Sequence, residues 1–140
     1  MYWAQDRVGP VRATDSYAWK TFEDQGTVLA FGTDYPVEPV TPFRGLYAAV
    51  TRKSEDGKRS YHPEQALTIE QALYNYTEAP AFAERTETRK GRLVPGELAD
   101  FVVLDRDLTE IPAAEILNTK VLRTVVGGKT VYLSSGERKP

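Results

Sequence analysis

Cysteine is absent from the 140-residue sequence, so neither a disulfide nor a thiolate-bound metal belongs to it. Histidine occurs once, at His62. One imidazole cannot assemble the three protein ligands that a catalytic zinc takes. No apolar run approaches the roughly 18 residues of a membrane span. The opening MYWAQDRVGP also lacks the apolar stretch of a secretory signal. No membrane partner is therefore expected, and a cytoplasmic location is the default. An excess of positive charge is missing too. Eighteen Lys and Arg stand against 20 Asp and Glu, giving a net charge of −2. The basic residues are scattered, which argues against nucleic acid as a partner. What remains is ordinary globular composition, with 41% hydrophobic and 27% charged residues. That length supports one domain with a real core.

Along the chain, Val11 to Gln25 reads as a helix, because Val11, Asp15, Ala18 and Phe22 follow helical spacing with Trp19 beside them. Gly26 is a natural stop for it. Val28–Leu29–Ala30–Phe31 is a short continuous apolar run, expected as a strand buried on both faces. TDYPVEPVTPF holds three prolines and reads as a loop. A helix is expected over 41–51, with Thr41 as N-cap and Pro42 at its first position. Gly45 is a mild weakness inside it. RKSEDGKRSYHPEQ reads as an exposed polar loop, with His62 in it. Thr68 and Gln71 have the spacing of a capping box, and Ile69, Ala72, Leu73 and Tyr76 make one apolar face. A second short helix is expected to start at Pro80. Beyond Arg89 the texture turns to strands. One is expected from about Ala99 to Leu104, then a short helix in IPAAEIL. A hairpin follows, turning at Gly127–Gly128.

The stretch VLAFGTDYPV raises the functional question. In barrels and open α/β sheets, functional groups stand where strands end at their C-terminal side. Asp34 has that place. Gly32 allows a close backbone approach. Pro36 biases Tyr35 towards an extended conformation, so that the chain leaves the strand tip directly. A carboxylate held there can ligate a metal or take a proton from water. The competing reading is a turn, in which Asp34 binds loop N–H groups.

Four segments together resemble the C-terminal part of the amidohydrolase superfamily, in its amidohydrolase-3, YtcJ-like group. They are FGTDYPVEPVTPFRGLYAAVTRK, LTIEQALYNYTEAPAFA, KGRLVPGELADFVVLDRD and VLRTVVGGKTVY, in this order. The resemblance implies a metal-dependent hydrolase built on a (β/α)8 barrel with a small β-sandwich domain. The chain resembles only the last quarter or so of such a protein, with Met1 falling between barrel strands seven and eight. The fold class expected is thus α/β, a C-terminal fragment of the barrel (last strand and flanking helices) over 1–88. The C-terminal strands of the sandwich follow over 89–140. The resemblance implies hydrolysis of a non-peptide C–N bond in a small amide-like substrate. Asp34 would be the strand-eight acid/base and a metal contact, and Tyr35 and Val37 would line the substrate pocket. A divalent metal, zinc by expectation, would belong to the complete protein. With a single His, this chain alone is expected to hold none stably and to be inactive.

The other conspicuous residues carry less. Arg44 reads as a solvated helix start, Asp100 and Asp105 as turn residues of the sandwich, and Trp3 and Trp19 as core or interface residues. The rival to an enzyme piece is a non-catalytic remnant that folds with a partner. In either case a homo-oligomer is expected, because part of a barrel leaves apolar faces uncovered. A flavodoxin-like ligand binder lacks its Gly-rich phosphate loop, since VVGGK sits in a hairpin.

Overall fold

The computed structural model describes residues 2–136, with side chains from residue 4 onward. The described residues form five α-helices and three strands. They run α1 (Tyr2–Ala13), α2 (Trp19–Asp24), α3 (Phe43–Thr51), α4 (Ile69–Tyr76), α5 (Glu78–Ala83), β1 (Phe101–Leu104), β2 (Val121–Val126) and β3 (Lys129–Leu133). Two 3-10 segments, Pro63–Gln65 and Ala113–Asn118, lie between them. The strands make one antiparallel sheet in the order β1-β2-β3.

The helix expected over 11–25 is two helices instead. Pro10 disfavours the helical region for Gly9, and Gly9 takes φ 79°, ψ 161° inside α1. Tyr17 then turns left-handed at φ 57° between α1 and α2. The i, i+4 spacing therefore spans a break, and Val11 stays 82% exposed rather than lying on a shared apolar face. Trp3 falls outside the described side chains.

The core lies between α3, α4 and the 3-10 segment Ala113–Asn118. Leu46, Tyr47, Ala49, Leu67, Ala72, Leu108 and Ile116 are buried together, with Trp19, Phe31 and Tyr76 packed against them. The capping box forms as expected: Thr68 accepts from the Gln71 N–H, and the Gln71 side chain accepts from the Thr68 N–H. Ile69, Ala72, Leu73 and Tyr76 all face this core. Thr41 does not cap α3. The helix begins at Phe43 behind Pro42, with no side-chain cap. Pro80 lies in the first turn of α5, where its missing N–H costs no helical bond.

The run 52–65 corrects the reading as an exposed loop. Arg52 is fully buried and Tyr61 nearly so, although Lys58 and Arg59 face solvent. Arg52 ends α3 in the left-handed region at φ 55°. Its side chain therefore departs from the helix and enters the interior.

The hairpin turns at Gly127 and Gly128, with φ 56° and 75°. Positive φ at both central residues suits the right-handed twist of the flanking strands. Asp100 accepts a hydrogen bond from the Gly127 N–H at 2.6 Å, and the Gly128 N–H reaches the Ala99 carbonyl at 3.0 Å. Asp100 thus pins the turn beside β1. Asp105 does the same at the other end, accepting from the Lys120 N–H at 2.9 Å and from Arg106 through two bonds of 3.1 Å. The fork from Arg106, followed by the Lys120 N–H, holds the Asp105 carboxyl at about 2, below its ordinary 3.8. A carboxyl lowered on folding stabilises the fold above its unfolded value, and that contribution is lost as pH falls towards the folded one. The melting temperature is expected to fall between pH 4 and pH 2. Asp105→Asn should remove part of that slope and lower the plateau above pH 4. Thermal melts across pH 2–7 check both, and parallel curves for the two proteins would contradict the assignment.

Candidate functional site

Val28–Phe31 forms no ladder. Among the described residues no strand lies beside it, and a strand is stabilised by paired neighbours. Val28 is 41% exposed. The segment is anchored by Phe31, whose N–H donates to the Asn75 carbonyl at 2.8 Å. Asn75 is itself buried, and its side-chain amide donates to Glu23. The Phe31 ring lies 5.1 Å from Trp19 and 5.7 Å from Tyr76, measured between centroids. This cluster of tilted and edge-to-face rings carries the chain to Gly32.

The chain turns immediately after that point. Asp34 takes φ 52°, a left-handed conformation that a short polar side chain tolerates. The Tyr35–Pro36 peptide bond is cis, and the Val37 N–H closes the turn on the Asp34 carbonyl at 2.8 Å. A cis-proline at the third turn position has this geometry. The extended departure expected at Tyr35 is replaced by a reversal.

A cleft of about 570 Å³ opens beside the turn. Gly32, Thr33 and Asp34 line it, as do Tyr17 and Trp19. Gly45, Tyr47 and Ala48 of α3 line it too, with Tyr76, Lys53, Ser54 and Glu55. Asp34 is therefore at the cleft. Tyr35 and Val37 are 68% and 73% exposed and lie outside its lining. Arg44 is more than a solvated helix start, because it lines the cleft and pairs with Glu55 at 3.1 Å.

Arg52, at the end of α3, ties that helix to Tyr17 of the cleft lining and to Tyr61 outside it. Its Nε donates to the Tyr61 carbonyl at 3.1 Å and its Nη2 to the Tyr17 carbonyl at 3.2 Å. The guanidinium lies 4.4 Å from the centre of the Trp19 ring, a cation–π distance. Among the described residues Nη1 is buried without a hydrogen-bond partner. Burial pushes the guanidinium below its usual pKa, against the opposing pull of Tyr61. The sequence offered no sign of this, since Arg52 opens a polar run.

A metal was implied by the resemblance. Among the described residues no group of three or more His, Cys, Asp or Glu could hold one. His62, half-buried, bonds Glu64 through Nδ1 at 2.8 Å and meets Tyr61 edge-on, outside the cleft lining. These residues alone do not fit a metal centre; Asp34 offers a single carboxylate.

Residues 1–132 match the amidohydrolase family. The chain is 37% identical over 135 residues to YtcJ of Bacillus subtilis, covering 95% of this chain and 26% of that protein. It is 32% identical over 113 residues to an N-substituted formamide deformylase of Arthrobacter pascens, covering 81% of this chain and 21% of that enzyme. An uncharacterized metal-dependent hydrolase from Pyrococcus horikoshii superposes with a TM-score of 0.69 at 34% identity, over 79% of this chain and 23% of that one. The chain thus spans about a quarter of the length of the relatives it matches. Sequence and fold agree, and the chain belongs to the amidohydrolase family.

Proposed function

We propose that these residues are the C-terminal part of a metal-dependent hydrolase that cleaves a non-peptide C–N bond in a small amide-like molecule. The observation that carries this reading is the family match over residues 1–132. The formamide deformylase among the relatives supports the bond type. Val28–Phe31 is then the last strand of a (β/α)8 barrel, and residues 1–88 are the C-terminal portion of that barrel. Residues 89–140 contribute strands to a β-sandwich. Asp34 is the acid/base: water attacks the carbonyl carbon, Asp34 takes its proton, and the departing nitrogen receives it as the C–N bond breaks. The remaining ligands of a divalent metal, zinc in this reading, come from outside these residues, with Asp34 offering it one carboxylate. Tyr35 and Val37 border the substrate from the loop. The protein is cytoplasmic and assembles as a homo-oligomer, an inference supported by exposed apolar residues on the sheet such as Val102, Val131 and Tyr132.

A second reading is a non-catalytic piece that binds a partner, and the exposed apolar residues Val102, Val131 and Tyr132 support it. Turnover of an N-substituted formamide, assayed with added zinc, separates the two. The 140-residue chain should show none, and a longer protein carrying this segment should show turnover. Silence in both would favour the partner reading. Turnover by the short chain that Asp34→Ala abolishes would overturn the need for the missing parts.

A further inference from the structure

Tyr47 and Tyr76 line the cleft and Tyr61 lies buried outside its lining, and two of these three have a partner for the hydroxyl. Tyr47 Oη donates to the Ser54 carbonyl at 3.1 Å, and Tyr61 Oη donates to the Ala13 carbonyl at 3.3 Å. The Tyr76 hydroxyl makes no hydrogen bond to any described residue, although it lies in the cleft lining. Its ring is fixed edge-on against Phe31 and packed on the core. The hydroxyl occupies the space a side chain at position 45 would fill. A Cβ on Gly45 would come within 1.8 Å of Oη and 2.8 Å of the adjoining ring carbon. Glycine inside a helix costs about 1 kcal/mol relative to alanine. Helix α3 thus gives up stability at the position that admits this hydroxyl to the cleft.

We propose that the Tyr76 hydroxyl, seated by Gly45, is a substrate-binding donor for the carbonyl oxygen of a secondary amide. Asp34, which lines the same cleft, accepts from the amide N–H. The chemistry is complementary. An amide presents one acceptor and one donor; a phenol supplies a donor, and an ionised carboxylate only accepts. Burial raises the Tyr76 pKa, so the phenol keeps its proton at neutral pH. The assignment rests on the reading of the cleft as an amide site.

The probe is N-benzylformamide, titrated into the whole 140-residue chain carrying Trp3→Phe. Trp19 on the cleft wall is then the only indole, and its fluorescence reports occupancy. Tyr76→Phe should weaken binding about tenfold, the worth of one hydrogen bond made to a polar ligand. Gly45→Ala should weaken it comparably by displacing the ring. Ethylbenzene, which lacks the amide, should bind Tyr76→Phe as it binds the parent, and the melting temperature of Tyr76→Phe should be unchanged. Equal formamide binding with and without the hydroxyl overturns the assignment while leaving the amide site standing. Parallel losses for both probes make Tyr76 a packing residue and overturn it likewise. No saturable binding by the parent chain overturns the assignment together with the amide reading of the cleft, whereas the turnover assay above tests the enzyme reading independently.

Discussion

Replacing Asp34 by asparagine in a longer protein carrying this segment is expected to lower kcat about 10²–10⁴-fold, the usual contribution of a positioned acid/base. The amide keeps the size of the carboxyl and hydrogen-bond capacity, but it cannot take up a proton. The backbone should be undisturbed. Asp34 is held by its left-handed φ and by its own carbonyl, which receives the Val37 N–H. Asparagine tolerates the same conformation. The side chain is exposed on the cleft wall, so the fold should lose little stability. The check is a pair of measurements, steady-state turnover and thermal melting. A large fall in kcat with an unchanged melt supports the acid/base role. Retention of more than a tenth of the activity would reduce Asp34 to a turn residue, the competing reading of TDYP.

Arg52→Ala should destabilise this chain by about 3–5 kcal/mol. Two carbonyls lose charge-assisted donors, that of Tyr61 in a buried place and that of Tyr17 in a half-buried one. A void the size of a guanidinium and its stem opens under Trp19. Relief of the desolvated charge offsets part of the loss. Arg52→Lys isolates the fork from the charge. An ammonium is a compact point charge and cannot reach both carbonyls while lying flat on an indole. Lysine should therefore recover less than half of the loss. Urea denaturation gives the stabilities, and Trp19 emission should move to the red as its wall loosens. A cost below about 1 kcal/mol for Arg52→Ala would mean that Tyr17 and Tyr61 stay in place without the clamp.

Local chemistry explains which parts of this structure were legible beforehand. The Thr68–Gln71 box and the Gly127–Gly128 turn depend on residues within a few positions of one another, and both formed. The face of α4 followed from helical spacing alone. The failures involve partners distant in sequence. Val28–Phe31 has the composition of a buried strand, but a ladder needs a second strand, and the described residues place none there. Periodicity across 11–25 carried no warning of Tyr17 turning left-handed, and Pro10 alone signalled the break in α1. Arg52 reads as surface because its stabilising contacts are main-chain carbonyls, which no side-chain pattern displays. Gly45 reads from the sequence only as a weak point of its helix, although it signals a close approach. A glycine inside a helix asks what approaches it, and the answer, Tyr76, lines the same cleft as Asp34.

The sharing of one core by α3 and the segment around Leu108 and Ile116 governs how the polypeptide can be divided. A cut at the change of texture near residue 88 would strip both residues from α3 and expose Leu46 and Ala49 on the helical piece. The severed strands would lose their support in turn. Neither half is a portable module, and domain-exchange chimeras within the family should keep the stretch from Phe43 to Asn118 from a single parent.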